Sequence, residues 1–179
     1  GEGKRELARY DDDFFADYLI SVLNKNIEKN PGVVIEAVEK GTKNEDYLEK
    51  VDLWVKFVSI DEPIGIQFTV SGDEEKIEEK RKELKSRNYI AKKESREDAK
   101  IKHSGNTHVV LVREDKMKLV NYIEIAKRKK IDPAEIPGPE FMRDFISKVI
   151  LEVGRINPIR KKMIIEVIAR EASKSKKLK

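Results

Sequence analysis

The chain has 179 residues, 39% of them apolar and 40% charged, with a net charge of +4. That length fits one domain with a helical appendage, and the periodic apolar runs exclude a disordered polyampholyte. The absence of cysteine excludes disulfides, thiol catalysis and Cys-ligated zinc, and two histidines, His103 and His108, are too few for a His-rich metal site and are expected to be bystanders.

After the opening GEGK, residues 6–30 place Leu7, Tyr10, Phe14, Tyr18 and Val22 three and four apart, which predicts an amphipathic helix. Asn30, Pro31 and Gly32 end it in a turn. Residues 33–39 read as a first strand, 40–50 as a polar connection, 51–59 as a second strand and 64–71 as a third. The last two are rich in β-branched and aromatic residues that alternate with period two. Residues 71–88 begin with a Ser or Asp cap and run from acidic to basic, the order a helix dipole favours. Ile77 and Leu84 are nearly the only apolar anchors of this helix, so it belongs on the surface. Residues 89–106 form a charged excursion, and 107–114 a short apolar strand of the buried parallel type. From Met117 the pattern is helical: 117–130, 140–154 and 159–172, with the proline-rich 131–139 as a linker and Ile159, Met163, Ile164 and Val167 expected to face inward. The expected fold is α/β, a central mixed β-sheet flanked by helices over residues 1–116, followed by an all-helical C-terminal extension over 117–179.

Strand alternation decides which side chains meet. In the second strand Val51, Leu53, Val55 and Phe57 share one face, and Asp52, Trp54 and Lys56 the other. In the third, Ile64, Ile66, Phe68 and Val70 oppose Gly65, Gln67, Thr69 and Ser71. If the short connection 60–63 pairs these strands, Asp52 stands close to Gln67, the only glutamine in the chain.

A helix, a strand, a strand with Asp, a strand with an acid or amide, a helix and a strand, in that order, resembles the PD-(D/E)XK nuclease superfamily, the restriction-endonuclease-like fold. The resemblance spans residues 5–114 and rests on KVDLWV and IGIQFTV; Gln67 in the acid position is similar to the Mrr-like branch. It implies metal-assisted phosphodiester hydrolysis on DNA, with Mg²⁺, or Mn²⁺ in its place, held by Asp52, the Gln67 amide oxygen and the Phe68 carbonyl. Because an amide binds Mg²⁺ more weakly than a carboxylate, Glu36 or Asp17 is expected to assist. Where the family has Lys, this chain has Thr69, whose hydroxyl supplies neither charge nor a base near neutral pH. Either Lys56 or Lys76 replaces it, or the scaffold binds DNA without cutting it.

Charge is unevenly spread. Residues 156–179 carry eight Lys and Arg against two Glu, a net of +6, whereas residues 1–50 net −4 from eight basic and twelve acidic residues. The basic end, including Lys161 and Lys162, reads either as a phosphate-attracting arm or as a solvated helix end. Trp54 is a candidate for stacking on a nucleobase, against packing beneath a helix. The C-terminal helices suit a cap, a homodimer interface or a nucleic-acid grip. Phosphate loops, GxGxxG, GxSxG and HExxH motifs are absent from the sequence. No apolar run reaches the roughly 20 residues of a membrane span and no signal peptide opens the chain, so a cytoplasmic protein is expected; the Lys- and Glu-rich composition resembles that of thermophiles. The reading that competes with a nuclease is a noncatalytic protein-interaction module on the same α/β scaffold.

Overall fold

The computed structural model describes residues 10–30 and 34–177, with side chains to residue 174. Helix α1 (Asp12–Lys29) leads into β1 (Ile35–Lys40), α2 (Lys43–Glu49), β2 (Leu53–Phe57), β3 (Ile64–Thr69), α3 (Glu74–Ser86), β4 (Ile90–Lys93) and β5 (Gly105–Arg113). Three further helices follow: α4 (Lys116–Lys129), α5 (Pro139–Ile156) and α6 (Pro158–Lys177), with a 3₁₀ turn at Pro133–Glu135 between α4 and α5. The sheet order is β1-β2-β3-β5-β4, with β3 and β5 parallel and the other pairs antiparallel. This is the mixed, helix-flanked sheet the alternation predicts. Leu7 and the turn at Pro31 and Gly32 lie outside the described residues.

Each face of the sheet carries its own core. Leu53, Val55 and Phe57 of β2, Ile64, Ile66 and Phe68 of β3, and Val110 and Val112 of β5 pack with Phe15, Leu19 and Val22 of α1. Phe145, Val149 and Val153 of α5 join the same cluster, as do Ile164 and Val167 of α6, so the helical extension shares one core with the sheet. On the other face Trp54, Val109 and Leu111 lie beneath Ile77 and Leu84 of α3. A Cβ on Gly65 would sit 3.0 Å from both the Trp54 ring and the Val51 side chain, which is why β3 has no side chain at that point.

Three expectations are corrected. The polar connection 40–50 contains α2, started by a capping box in which the Thr42 hydroxyl accepts from Glu45 N–H and the Glu45 carboxylate accepts from Thr42 N–H. Val51 belongs to the Trp54 face and not to that of Leu53, because Lys50 adopts a left-handed turn with φ of 61° just before the strand. In α6 the inward residues are Arg160, Ile164 and Val167, while Ile159 is 75% exposed and Met163 is also exposed. Arg160 faces inward because its guanidinium reaches the Glu62 carbonyl at 3.0 Å and the Glu62 carboxylate, at the β2–β3 turn.

The excursion 89–106 also gains structure. It forms edge strand β4 and a loop that closes on a buried charge cluster at the end of β1. Glu39, 8% exposed, meets Lys93 Nζ at 3.2 Å and Arg96 Nη2 at 2.7 Å, and accepts from Ile101 N–H at 3.3 Å. Lys93 is 1% exposed, so it depends on that partner. Removing one member of a buried pair strands the other charge. Glu39→Ala is therefore expected to cost about 3–5 kcal/mol in urea unfolding, and adding Lys93→Met to the same protein should recover most of the loss.

Candidate metal centre

The cavity begins where β2 stops and β3 continues. Their register sets Leu53 opposite Ile66 and Trp54 opposite Gly65; Asp52, just before β2, and Gln67, the next residue of β3, both line the cavity. Asp52 N–H donates to the Ile66 carbonyl at 2.8 Å. Beyond it the chain has turned away at Lys50, so the next N–H of β3 on that side, from Phe68, has no strand partner. The Asp52 side chain supplies one, accepting at Oδ2 from Phe68 N–H at 2.6 Å. The acid is thus part of the sheet's hydrogen bonding and faces the cavity as well.

That cavity, of about 300 Å³, is lined by Asp12, Asp13, Asp46, Asp52, Gln67 and Lys80, with Tyr47, Lys50 and Phe68 completing it. Asp12 and Asp13 stand at the start of α1, whose N-cap is Asp11. Asp46 comes from the first turn of α2, fixed by its capping box, and Lys80 from the middle of α3. Asp13, Asp46 and Asp52 each present an oxygen within 4.8 Å of the others. Ligand oxygens around Mg²⁺ at about 2.1 Å, or Ca²⁺ at about 2.5 Å, lie at most about 4 to 5 Å apart. A small rotation of the two exposed carboxylates, Asp13 and Asp46, brings this set within either span.

A second feature points the same way. Gln67 is 7% exposed and lines the cavity, and its Oε1 is buried without a hydrogen-bond partner among the described residues. A buried amide oxygen left unpaired is costly, and a hard cation is one group that satisfies it. Burial pushes the Asp52 carboxyl up to about 7; the Phe68 N–H opposes that shift, Asp46 adds to it by repulsion and a shared hydrogen bond, and Lys80 lowers it. Two carboxyls this close repel each other, and a cation between them relieves that repulsion. The donor set therefore fits a divalent cation.

The expected residues divide. Asp52 and Gln67 line one cavity. Asp17 instead pairs with Lys40 at 2.8 Å, and Glu36 pairs with Lys56. None of these four residues lines the cavity, so Asp13 and Asp46 stand where Asp17 and Glu36 were expected. Thr69 is fully buried and its hydroxyl accepts from Ser71 N–H at 3.2 Å, outside the cavity; Lys76 is exposed. Two lysines do line it, Lys50, which pairs with Glu83 at 3.8 Å, and Lys80, one helical turn after Lys76. Trp54 is fully buried under α3 with Lys93 Nζ 5.8 Å from its ring, so it has no free face for a base. Lys161 lies along Gly154 of α5, where its Cδ would sit 2.5 Å from an added Cβ, and Lys162 is exposed. Among the described residues no helix is long and apolar enough to cross a membrane.

Protein-family models, curated proteins and solved structures give no match to this chain.

Because Asp52 holds its proton more tightly folded than unfolded, its contribution to stability is present at pH 4 and is lost as pH rises through about 7. In EDTA, Asp52→Asn keeps an oxygen for Phe68 N–H and removes the buried charge. It is expected to raise stability at pH 8 by on the order of 3 kcal/mol, with little effect at pH 4, measured by urea unfolding at the two pH values.

Proposed function

We propose that this chain is a divalent-cation-dependent phosphodiesterase acting on DNA, built on a PD-(D/E)XK-like core. The observation that carries the reading is the convergence of three carboxylates and the unpartnered Gln67 amide on one polar cavity beside Lys80. The topology supports it: α1, three antiparallel strands, α3 and a strand parallel to β3 follow the order the sequence resembles.

Asp13, Asp46 and Asp52 would hold Mg²⁺ or Mn²⁺ with the Gln67 amide oxygen. When bound, the ion supplies a Lewis acid for a phosphate oxygen and lowers the pKa of a water molecule. The chain's own groups set the geometry. Asp52 is oriented by the Phe68 backbone, so its second oxygen is aimed without an entropic search. Lys80 places positive charge at the cavity wall, where charge builds on phosphate in the transition state. It takes the part that Thr69, committed to Ser71, does not. Burial favours the protonated form of Asp52, which limits the negative charge gathered in the cluster.

A second reading, a noncatalytic interaction module, draws support from the exposed Ile159, Met163 and Ile165 of α6; a homodimer through these helices belongs to it. Cleavage assays separate the two. Linear, branched and supercoiled DNA incubated with Mg²⁺ or Mn²⁺ should be nicked or cut. Asp52→Asn should reduce the rate at least about 1,000-fold and Lys80→Ala by about 100-fold, both while retaining a cooperative melt. Equal products from the wild type and Asp52→Asn, or products in EDTA, would sink the nuclease reading.

A further inference from the structure

A second cavity, of about 680 Å³, lies outside the acidic cluster. It opens at the carboxyl ends of the parallel pair β3 and β5, between the two connections that leave those strands, residues 70–72 and 114–117, with α5 closing one side. In open α/β sheets the crevice outside the carboxyl ends of parallel strands is where ligands settle, since the chain diverges there into helices that begin above the sheet.

Its chemistry is selective. Glu114 is 2% exposed; its Oε2 meets Lys148 Nζ at 3.1 Å, and its Oε1 is buried with no hydrogen-bond partner among the described residues. Neither its neighbours nor solvent completes this carboxylate, so an incoming N–H donor would. Arg81, Arg113 and Arg155 surround the opening. Arg81 and Arg155 are both steadied by Glu152, at 3.5 and 3.3 Å, and Arg113 by Glu74 at 2.8 Å. Three guanidinium groups held in place suit a phosphate. Met117 and Leu151, both more than half exposed, add apolar surface that nothing among the described residues covers.

Taken together, the wall calls for a ligand with an anionic group, a flat apolar body and an N–H edge. Inorganic phosphate meets the first demand only, and an amino acid would leave most of 680 Å³ empty. We propose that this cavity binds a nucleotide, its phosphate on Arg81, Arg113 and Arg155 and the amino edge of its base donating to Glu114 Oε1. The nucleotide is either free or one unit of a strand whose next phosphate lies at the acidic cluster. The second source rests on the nuclease reading and on the link between the two cavities, where Asp12 Oδ1 of one accepts from Val70 N–H of the other at 3.4 Å.

Calorimetric titration in EDTA with the adenosine, guanosine, cytidine and uridine monophosphates and with ribose 5-phosphate tests this. The three bases bearing an exocyclic amino group should bind about 10-fold or more tighter than uridine monophosphate or ribose 5-phosphate. Glu114→Gln should erase that preference, and Arg155→Ala should weaken all five by about 10-fold, with folding checked by thermal melts. A trinucleotide that binds tighter than the monomers assigns the site to a strand, and equal affinity assigns it to a free nucleotide. Ribose 5-phosphate binding as tightly as the nucleotides, no binding of any of the five up to about 10 mM, or affinities unchanged in both variants would overturn the proposal. EDTA keeps this result independent of the metal centre, whose failure would show only in the cation-dependent cleavage assay.

Discussion

The hydrogen bond from Phe68 N–H to the Asp52 carboxylate is the constraint on which the site depends. A sheet whose neighbouring strands end at different points leaves a backbone donor without a ladder partner, and a buried donor must be satisfied. Here a side chain satisfies it, and the price is a carboxylate drawn out of water. Burial raises the pKa of Asp52 while the bond lowers it, and burial wins. The result is an acid whose position is fixed and whose charge is unsettled. A proton on Asp52 settles it in one way, and the divalent cation of the proposed function would settle it in another.

The part of this arrangement that was legible in the sequence is the part governed by a period of two. Alternation placed Leu53, Val55, Ile64, Ile66 and Phe68 in one core, as the structure has them, and set Asp52 near Gln67, and these two line one cavity. Helix α2 was hidden for a physical reason. Its one buried residue is Glu45, which is held by the Thr42 and Glu94 N–H groups, so no apolar stripe announces it. The capping-box spacing of Thr42 and Glu45 was the available signal. With α2 read as a loop, Asp46 had no fixed direction and could not be placed at the site. Asp13 stands in a run of three aspartates that reads equally well as an N-terminal cap, which is what Asp11 does. In α6 the apolar residues Ile159 and Met163 mislead because the inward position belongs to Arg160, whose partner Glu62 is 98 residues away.

In the proposed reading, Lys80 supplies the charge that Thr69, at the position where the PD-(D/E)XK family has lysine, does not. The strand position two after Gln67 lies outside the cavity, and Thr69 is fully buried there with its hydroxyl accepting from Ser71 N–H. A lysine at that position would need its own partner in the interior, as Lys93 needs Glu39. A lysine on α3 reaches the same cavity from the side, with its stem along the helix surface and its ammonium near water.

Helix α3 then becomes the element that relates the two cavities. Lys80 faces the acidic cluster and the next residue, Arg81, faces the crevice beyond β5. The helix is anchored by Ile77 and Leu84 and by ion pairs along its length, Arg113 to Glu74, Arg81 to Glu152, and Lys50 to Glu83. Two apolar anchors seven residues apart fix its height over the sheet but resist rotation about its own axis only weakly. The ion pairs to both sides supply that resistance, and exposed pairs weaken as salt rises. The direction of Lys80 therefore depends on charges well outside its own cavity, and whatever engages Arg81 on one flank also bears on how Lys80 is held on the other.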